Sequence, residues 1–113
     1  MSLLKDQITF TKNITLLLQH IFNQGYTCTL GEAYRTEEQA ALYASQGKGI
    51  KNSLHCKRLA LDINLFSPEG KYLTSTNDHR AFGMYWESLD PRNRWGGKFP
   101  KPDGNHYEMN DKD

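Results

Sequence analysis

The sequence predicts an α+β fold, a small antiparallel sheet with flanking helices. Three observations lead there. Apolar residues near the N-terminus recur at helical spacing, residues 59–66 alternate as a strand does, and the remaining strand-like runs are separated by helical stretches.

Residues 3–24 read as the first helix, because Leu3, Leu4, Ile8, Ile14, Leu17, Leu18, Ile21 and Phe22 fall at spacings of three and four. Residues 10–13 are a weaker stretch where this helix could break. Gly25 stops it, since glycine takes the left-handed C-terminal position cheaply. Residues 26–34 alternate and carry Thr, Cys and Tyr, which predicts a strand. Thr36-Glu37-Glu38-Gln39 is a capping box that opens a second helix, propagated by Ala40, Ala41, Leu42, Tyr43 and Ala44. Residues 46–52 hold two glycines and two lysines and form a loop.

In residues 59–66, Leu59, Leu61, Ile63 and Leu65 face one way and Ala60, Asp62, Asn64 and Phe66 the other. Ser67-Pro68-Glu69-Gly70 is a turn. Residues 76–89 form a third helix with Phe82, Tyr85, Trp86 and Leu89 on one face, ended by Asp90-Pro91. The tail is rich in Gly and Pro, with a short strand at residues 105–109.

The 113 residues match one domain of ~100–150 residues, and a hydrophobic share of 37% gives it a modest core. The 14 basic residues nearly balance the 13 acidic ones, for a net charge of +1. That balance argues against a nucleic-acid binder built on phosphate neutralisation. Aromatic residues at 12% argue against disorder. No apolar run approaches the ~18–20 residues of a membrane span, and no signal peptide is visible. Synthesis in the cytoplasm without an export signal is therefore expected. Cys28 and Cys56 do not resemble a disulfide framework and read as reduced thiols.

Four residues carry candidate chemistry: His55, Asp62, Asp103 and His106. Asp62 lies on the strand face opposite the leucines, His55 in the loop feeding that strand, and His106 in the last strand, three residues after Asp103. Two imidazoles and one carboxylate suit an open zinc site, in which a catalytic ion keeps three protein ligands and a water. Such an ion polarises a carbonyl and acidifies its water, and an unligated carboxylate such as Asp103 can take the proton. Spacing alone leaves an alternative open. In it, His55 and His106 are hydrogen-bonded loop histidines and Asp62 pairs with Arg58 or Arg35.

Ser53-Leu54-His55-Cys56-Lys57-Arg58-Leu59-Ala60-Leu61-Asp62 resembles the Ser-x-His-x-x-Gly-x-Ala-x-Asp signature of zinc peptidoglycan peptidases. These are the D-alanyl-D-alanine carboxypeptidases and dipeptidases and the phage L-alanyl-D-glutamate endopeptidases, which share a metallopeptidase fold with the hedgehog signalling domain. Asp103-Gly104-Asn105-His106 resembles their second signature, (Glu/Asp)-x-x-His. Residues 31–39 resemble a strand-to-helix segment bearing a substrate-binding arginine, and Trp95-Gly96-Gly97 also looks like the family.

The resemblance, from the first helix to Met109, implies that His55, Asp62 and His106 bind one catalytic Zn2+ ion. It implies that Asp103 is general base and then acid, and that Arg35 holds the scissile carbonyl and stabilises the oxyanion. Ser53 is implied near the site but off the metal. The sequence departs from the signature at Arg58, where the family has the glycine of a tight turn. The base is Asp, as in the phage endopeptidases, where the dipeptidases have Glu.

Other residues have plainer readings. His20 reads as a boundary residue, and His79, beside Asp78, as a capping or exposed residue. Cys56 reads as an inert thiol and Cys28 as core. Glu108 shares a face with His106 and supports the ligands, contacts substrate, or is a surface acid. Glu32 orients Arg35 or caps the sheet edge. Trp95 and Tyr107 line the cleft or, as the safer expectation, pack in the core. Lys48 and Lys51 form a solvated loop that could meet acidic wall polymer.

Together these readings imply a single catalytic metallopeptidase domain over residues 1–113, with no separate wall-binding domain. The implied activity is hydrolysis of the L-alanyl-D-glutamate bond of the peptidoglycan stem peptide by zinc-activated water. The implied setting is a phage endolysin, monomeric, made in the host cytoplasm, that reaches a thin Gram-negative wall through holes made by a holin. The rivals are a D,D-carboxypeptidase or dipeptidase acting on D-Ala-D-Ala, and a non-catalytic zinc-containing wall-binding module. A metal-dependent nuclease built on Asn105-His106 is disfavoured by the charge balance.

Overall fold

The structure is a computed structural model and describes residues 2–48 and 53–111. Helix α1 spans Leu3–Asn23, β1 Thr27–Leu30, α2 Glu37–Ser45, β2 Ala60–Phe66, β3 Tyr72–Leu73, α3 Thr76–Leu89, β4 Asn93–Trp95 and β5 His106–Met109. Short 3-10 turns occupy Leu54–Lys57 and Gly96–Lys98. This is the α+β architecture expected from the sequence. The antiparallel sheet has the order β1-β2-β5-β4, with β3 also paired to β2.

Helix α1 runs unbroken through residues 10–13, because Phe10 packs into the core and anchors it there. Its buried face is Asp6, Phe10, Asn13, Leu17 and Ile21, while Leu3, Leu4, Ile8 and Phe22 are exposed. The face is turned from the expected one because Asp6 is buried against Arg92, with Nη1 and Oδ1 2.9 Å apart. Gly25 ends the helix region at φ +86°. The strand expected at residues 26–34 is regular only over Thr27–Leu30. Beyond it, Gly31 N–H donates to the Asp62 carbonyl (2.7 Å) and Asp62 N–H to the Glu32 carbonyl (2.9 Å). Thr36 caps α2 through the Gln39 N–H, and Ser75 with Asp78 makes a capping box on α3.

The core lies on one face of the sheet, under α1 and α3. Leu61, Ile63 and Leu65 of β2 and Tyr107 and Met109 of β5 meet Leu17, Ile21, Phe82 and Trp86 there. Strand alternation then turns Asp62, His106 and Glu108 to the opposite face. The register pairs Asp62 with His106 and Ala60 with Glu108. Two residues 44 apart in sequence thereby become direct cross-strand neighbours. No helix among the described residues is long and apolar enough to cross a membrane.

Candidate metal centre

His55 is delivered by the turn Leu54–Lys57. Ser53, itself buried, caps that turn by accepting from the His55 N–H (3.1 Å). Arg58 closes it in the left-handed conformation, φ 57° and ψ 37°. The turn that favours glycine in the signature is therefore kept, with an arginine in it. The Arg58 guanidinium lies over the Tyr34 ring, 4.2 Å from its centroid. Neither Arg58 nor Arg35 pairs with Asp62: Arg35 is taken by Glu32 and Arg58 by Tyr34.

The two imidazoles instead converge on one Asp62 oxygen. His55 Nε2 and His106 Nδ1 are each 3.3 Å from Asp62 Oδ1, and one ligand atom from each residue lies within 4.8 Å of the others. Each ring's other nitrogen has a protein partner. His106 Nε2 is 2.7 Å from Glu108 Oε1, and His55 Nδ1 is 3.4 Å from the Ala33 carbonyl. Charge-assisted hydrogen bonds close to ~2.7–2.9 Å, as the His106–Glu108 bond does; the contacts to Asp62 are longer. They match the edge of a tetrahedron of ligands bonded at ~2.0–2.1 Å, which is about 3.3–3.4 Å. The donor set of two nitrogens and one oxygen, with the outer nitrogens anchored, fits a zinc ion.

The clustered groups also shift one another's protonation. Burial alone would raise the Asp62 carboxyl, but hydrogen bonds and charge from His106 and His55 hold it at about 2. Burial would lower His106, but Asp62 and Glu108 outweigh it and lift its pKa to about 9. Glu108 is held low, its burial opposed by His106 and then by Arg94. An imidazole must be neutral to bind a metal, so the ion would displace the His106 proton.

These residues lie in a cleft of about 1260 Å³ that Arg35, Ser53, Phe99, Lys101 and Asp103 also line. Arg35 Nε donates to Glu32 Oε1 (2.7 Å), and its guanidinium sits over Tyr43. Glu32 therefore orients Arg35. Asp103 is exposed at the cleft rim. Its backbone is fixed by its N–H on the Gly96 carbonyl (2.9 Å) and by the His106 N–H on its own carbonyl (3.1 Å).

Trp95 and Tyr107 are fully buried in the core and do not line the cleft. Trp95 Nε1 donates to the Gly104 carbonyl (2.7 Å) and so braces the Asp103–His106 segment from behind. His79 is also buried, with Nδ1 2.8 Å from the Tyr107 hydroxyl. Its expected exposure is corrected, because the Tyr107 side chain of β5 reaches it in the interior. His20 is half-buried and stacks on Tyr85 at 3.8 Å. Lys48 lines the cleft; Lys51 lies outside the described residues.

Glu108 is buried, its carboxylate shared between His106 and Arg94 Nε (2.7 Å). Arg94 and Phe99 were not legible in the sequence. Arg94 meets Glu108 only through the β4–β5 register. Phe99, with its ring 5.7 Å from that of His106, stands in a segment without periodicity.

A sequence model of the family described as D-alanyl-D-alanine carboxypeptidase matches residues 46–109. Among solved structures, the chain is similar to the L-Ala D-Glu endopeptidase ChiX of Serratia marcescens, with a TM-score of 0.72 and 17% identity. That match covers 88% of this chain and 77% of the other, and it shows a shared fold. No curated protein sequence matches the chain. The family match spans both signatures and every residue of the candidate metal centre. The chain belongs to the D-alanyl-D-alanine carboxypeptidase family and is a hydrolase of the metallopeptidase type.

Proposed function

We propose that this peptidoglycan peptidase hydrolyses the L-alanyl-D-glutamate bond of the stem peptide with one zinc ion held by His55, Asp62 and His106. The observation that carries the zinc reading is the convergence of two anchored imidazoles on one carboxylate oxygen at 3.3 Å. Bound there, zinc would supply Lewis acidity toward the scissile carbonyl and lower the pKa of water. Arg35, held by Glu32, orients that carbonyl and stabilises the negative charge that develops on its oxygen. Asp103 takes a proton from the attacking water and returns it to the leaving amine. Glu108 keeps the His106 Nδ1 lone pair turned to the metal by holding the proton on Nε2.

The fold shared with an L-Ala D-Glu endopeptidase supports this bond. The family description supports the second reading, removal of D-Ala from D-Ala-D-Ala. Digestion of purified peptidoglycan by the zinc-loaded chain, with new termini identified by mass spectrometry, separates them. New N-terminal D-Glu is expected; released D-Ala instead would overturn the bond assignment. Asp103→Asn is expected to retain zinc and lose hydrolysis. A mutant that digests wall at the parent rate would leave the non-catalytic reading of Asp103 standing. We further propose the setting of a monomeric endolysin that a holin admits to the wall, which lysis of cells producing the chain only after their membrane is permeabilised would support.

A further inference from the structure

The rim of the cleft carries a loop of which the mechanism above uses only the last residue, Asp103. The Phe99 N–H (3.1 Å) and the Asp103 N–H (2.9 Å) both donate to a single acceptor, the Gly96 carbonyl. The five residues from Phe99 to Asp103 are thus closed at both ends on one atom. Pro100 and Pro102 stiffen the interior by fixing φ. Lys101 lies between them, exposed, and lines the same cleft as the metal ligands. One end of the loop sets the Phe99 ring against His106, and the other carries Asp103.

The other cations of the cleft are mostly neutralised locally. Arg35 is paired with Glu32, Lys57 with Asp111 and Arg94 with Glu108. Among the described residues, no carboxylate pairs with Lys101 or Lys48. A cation on a preorganised loop binds an anion with less ordering cost than one on a free chain.

We propose that Lys101 is a specificity-determining residue that binds a carboxylate of the peptide substrate next to the scissile bond. This rests on the reading of the chain as a stem-peptide hydrolase. In the bond proposed above, the ligand is the free α-carboxylate of the D-glutamate, on the amine side of the cut. The loop sets this carboxylate, the scissile bond at Asp103 and an apolar contact at Phe99 in one fixed frame.

Two synthetic stem peptides test this, one with the D-glutamate α-carboxylate free and one with it as the carboxamide. Their binding is measured by calorimetry on the zinc-loaded full chain carrying Asp103→Asn, to suppress turnover. The carboxylate peptide is expected to bind roughly fivefold tighter, with the preference shrinking as salt is raised. Adding Lys101→Met is expected to bring the preference near one, and Lys101→Arg to restore most of it. Persistence of the preference in Lys101→Met, its loss in Lys48→Met instead, or no binding of either peptide overturns the proposal. Thermal unfolding of each variant checks that the loop change has not unfolded the chain. Cleavage by the parent is scored separately. A retained carboxylate preference with no cut at L-Ala-D-Glu supports Lys101 while counting against the bond assignment.

Discussion

Position 58 shows how a single residue can keep a geometry that its own side chain opposes. A left-handed backbone costs an L-residue ~1–2 kcal/mol, and Arg58 adopts it to aim His55. Its stacking on Tyr34 returns about 0.5–1 kcal/mol of that. Arg58→Gly relieves the strain and loses the stacking, whereas Arg58→Ala loses the stacking and keeps the strain. Urea unfolding is expected to find the Gly variant more stable than the Ala variant by about 1 kcal/mol. Equal midpoints would mean that no left-handed strain resides there. Glu108 shows the converse, a buried acid stabilised by both of its neighbours. Glu108→Gln preserves its shape but weakens the hold on His106. Competition with a zinc chelator should show affinity reduced about tenfold or more, with far-UV dichroism unchanged.

At the scale of elements, the glycine pair after β4 explains itself sterically. A Cβ on Gly96 would lie 2.3 Å from the Asp103 carbonyl oxygen and 2.9 Å from His106 Cβ; one on Gly97 would lie 2.2 Å from the Trp95 ring. Gly96→Ala must therefore push away the segment that carries Asp103 and His106. Displacements near ~1 Å at an active site can cost about a hundredfold in rate, so hydrolysis should fall by roughly that factor while the helical signal persists. Parent-like activity would show that the segment tolerates the shift. The long helices and β2 were legible because their periodicity is strong and their caps are conventional. Strands β3 and β4, of two and three residues, are too short to show a period. Their absence from the sequence reading hid what they bring together, above all Arg94 with Glu108. The residues of the candidate metal centre were legible through two signatures, whereas the burial of His79 depends on Tyr107, 28 residues later, and nothing near His79 announces it.

For the whole molecule, the His55–Asp62–His106 cluster couples folding to pH. His106 holds its proton more tightly when folded, with a pKa of about 9 against ~6.5 in an unfolded chain. In metal-free protein its contribution is complete below about pH 6.5 and lost as pH rises through about 9. Asp62 runs the other way, with a pKa of about 2 against ~3.9 unfolded. Its contribution is complete above about pH 4 and lost as pH falls through about 2. Metal-free parent should therefore lose denaturant resistance between about pH 6.5 and 9 relative to His106→Gln, whose curve lacks this slope. Parallel curves would remove His106 from the account. The sheet order has a consequence in time as well as in space. Strand β2 ends at Phe66, yet its central partner β5 begins only at His106. A ribosome making this chain releases His55 and Asp62 more than forty residues before His106. Any product that stops short of residue 106 has only two of the three ligands and an unpaired central strand edge. The His55–Asp62–His106 cluster is therefore assembled only once synthesis has passed residue 106.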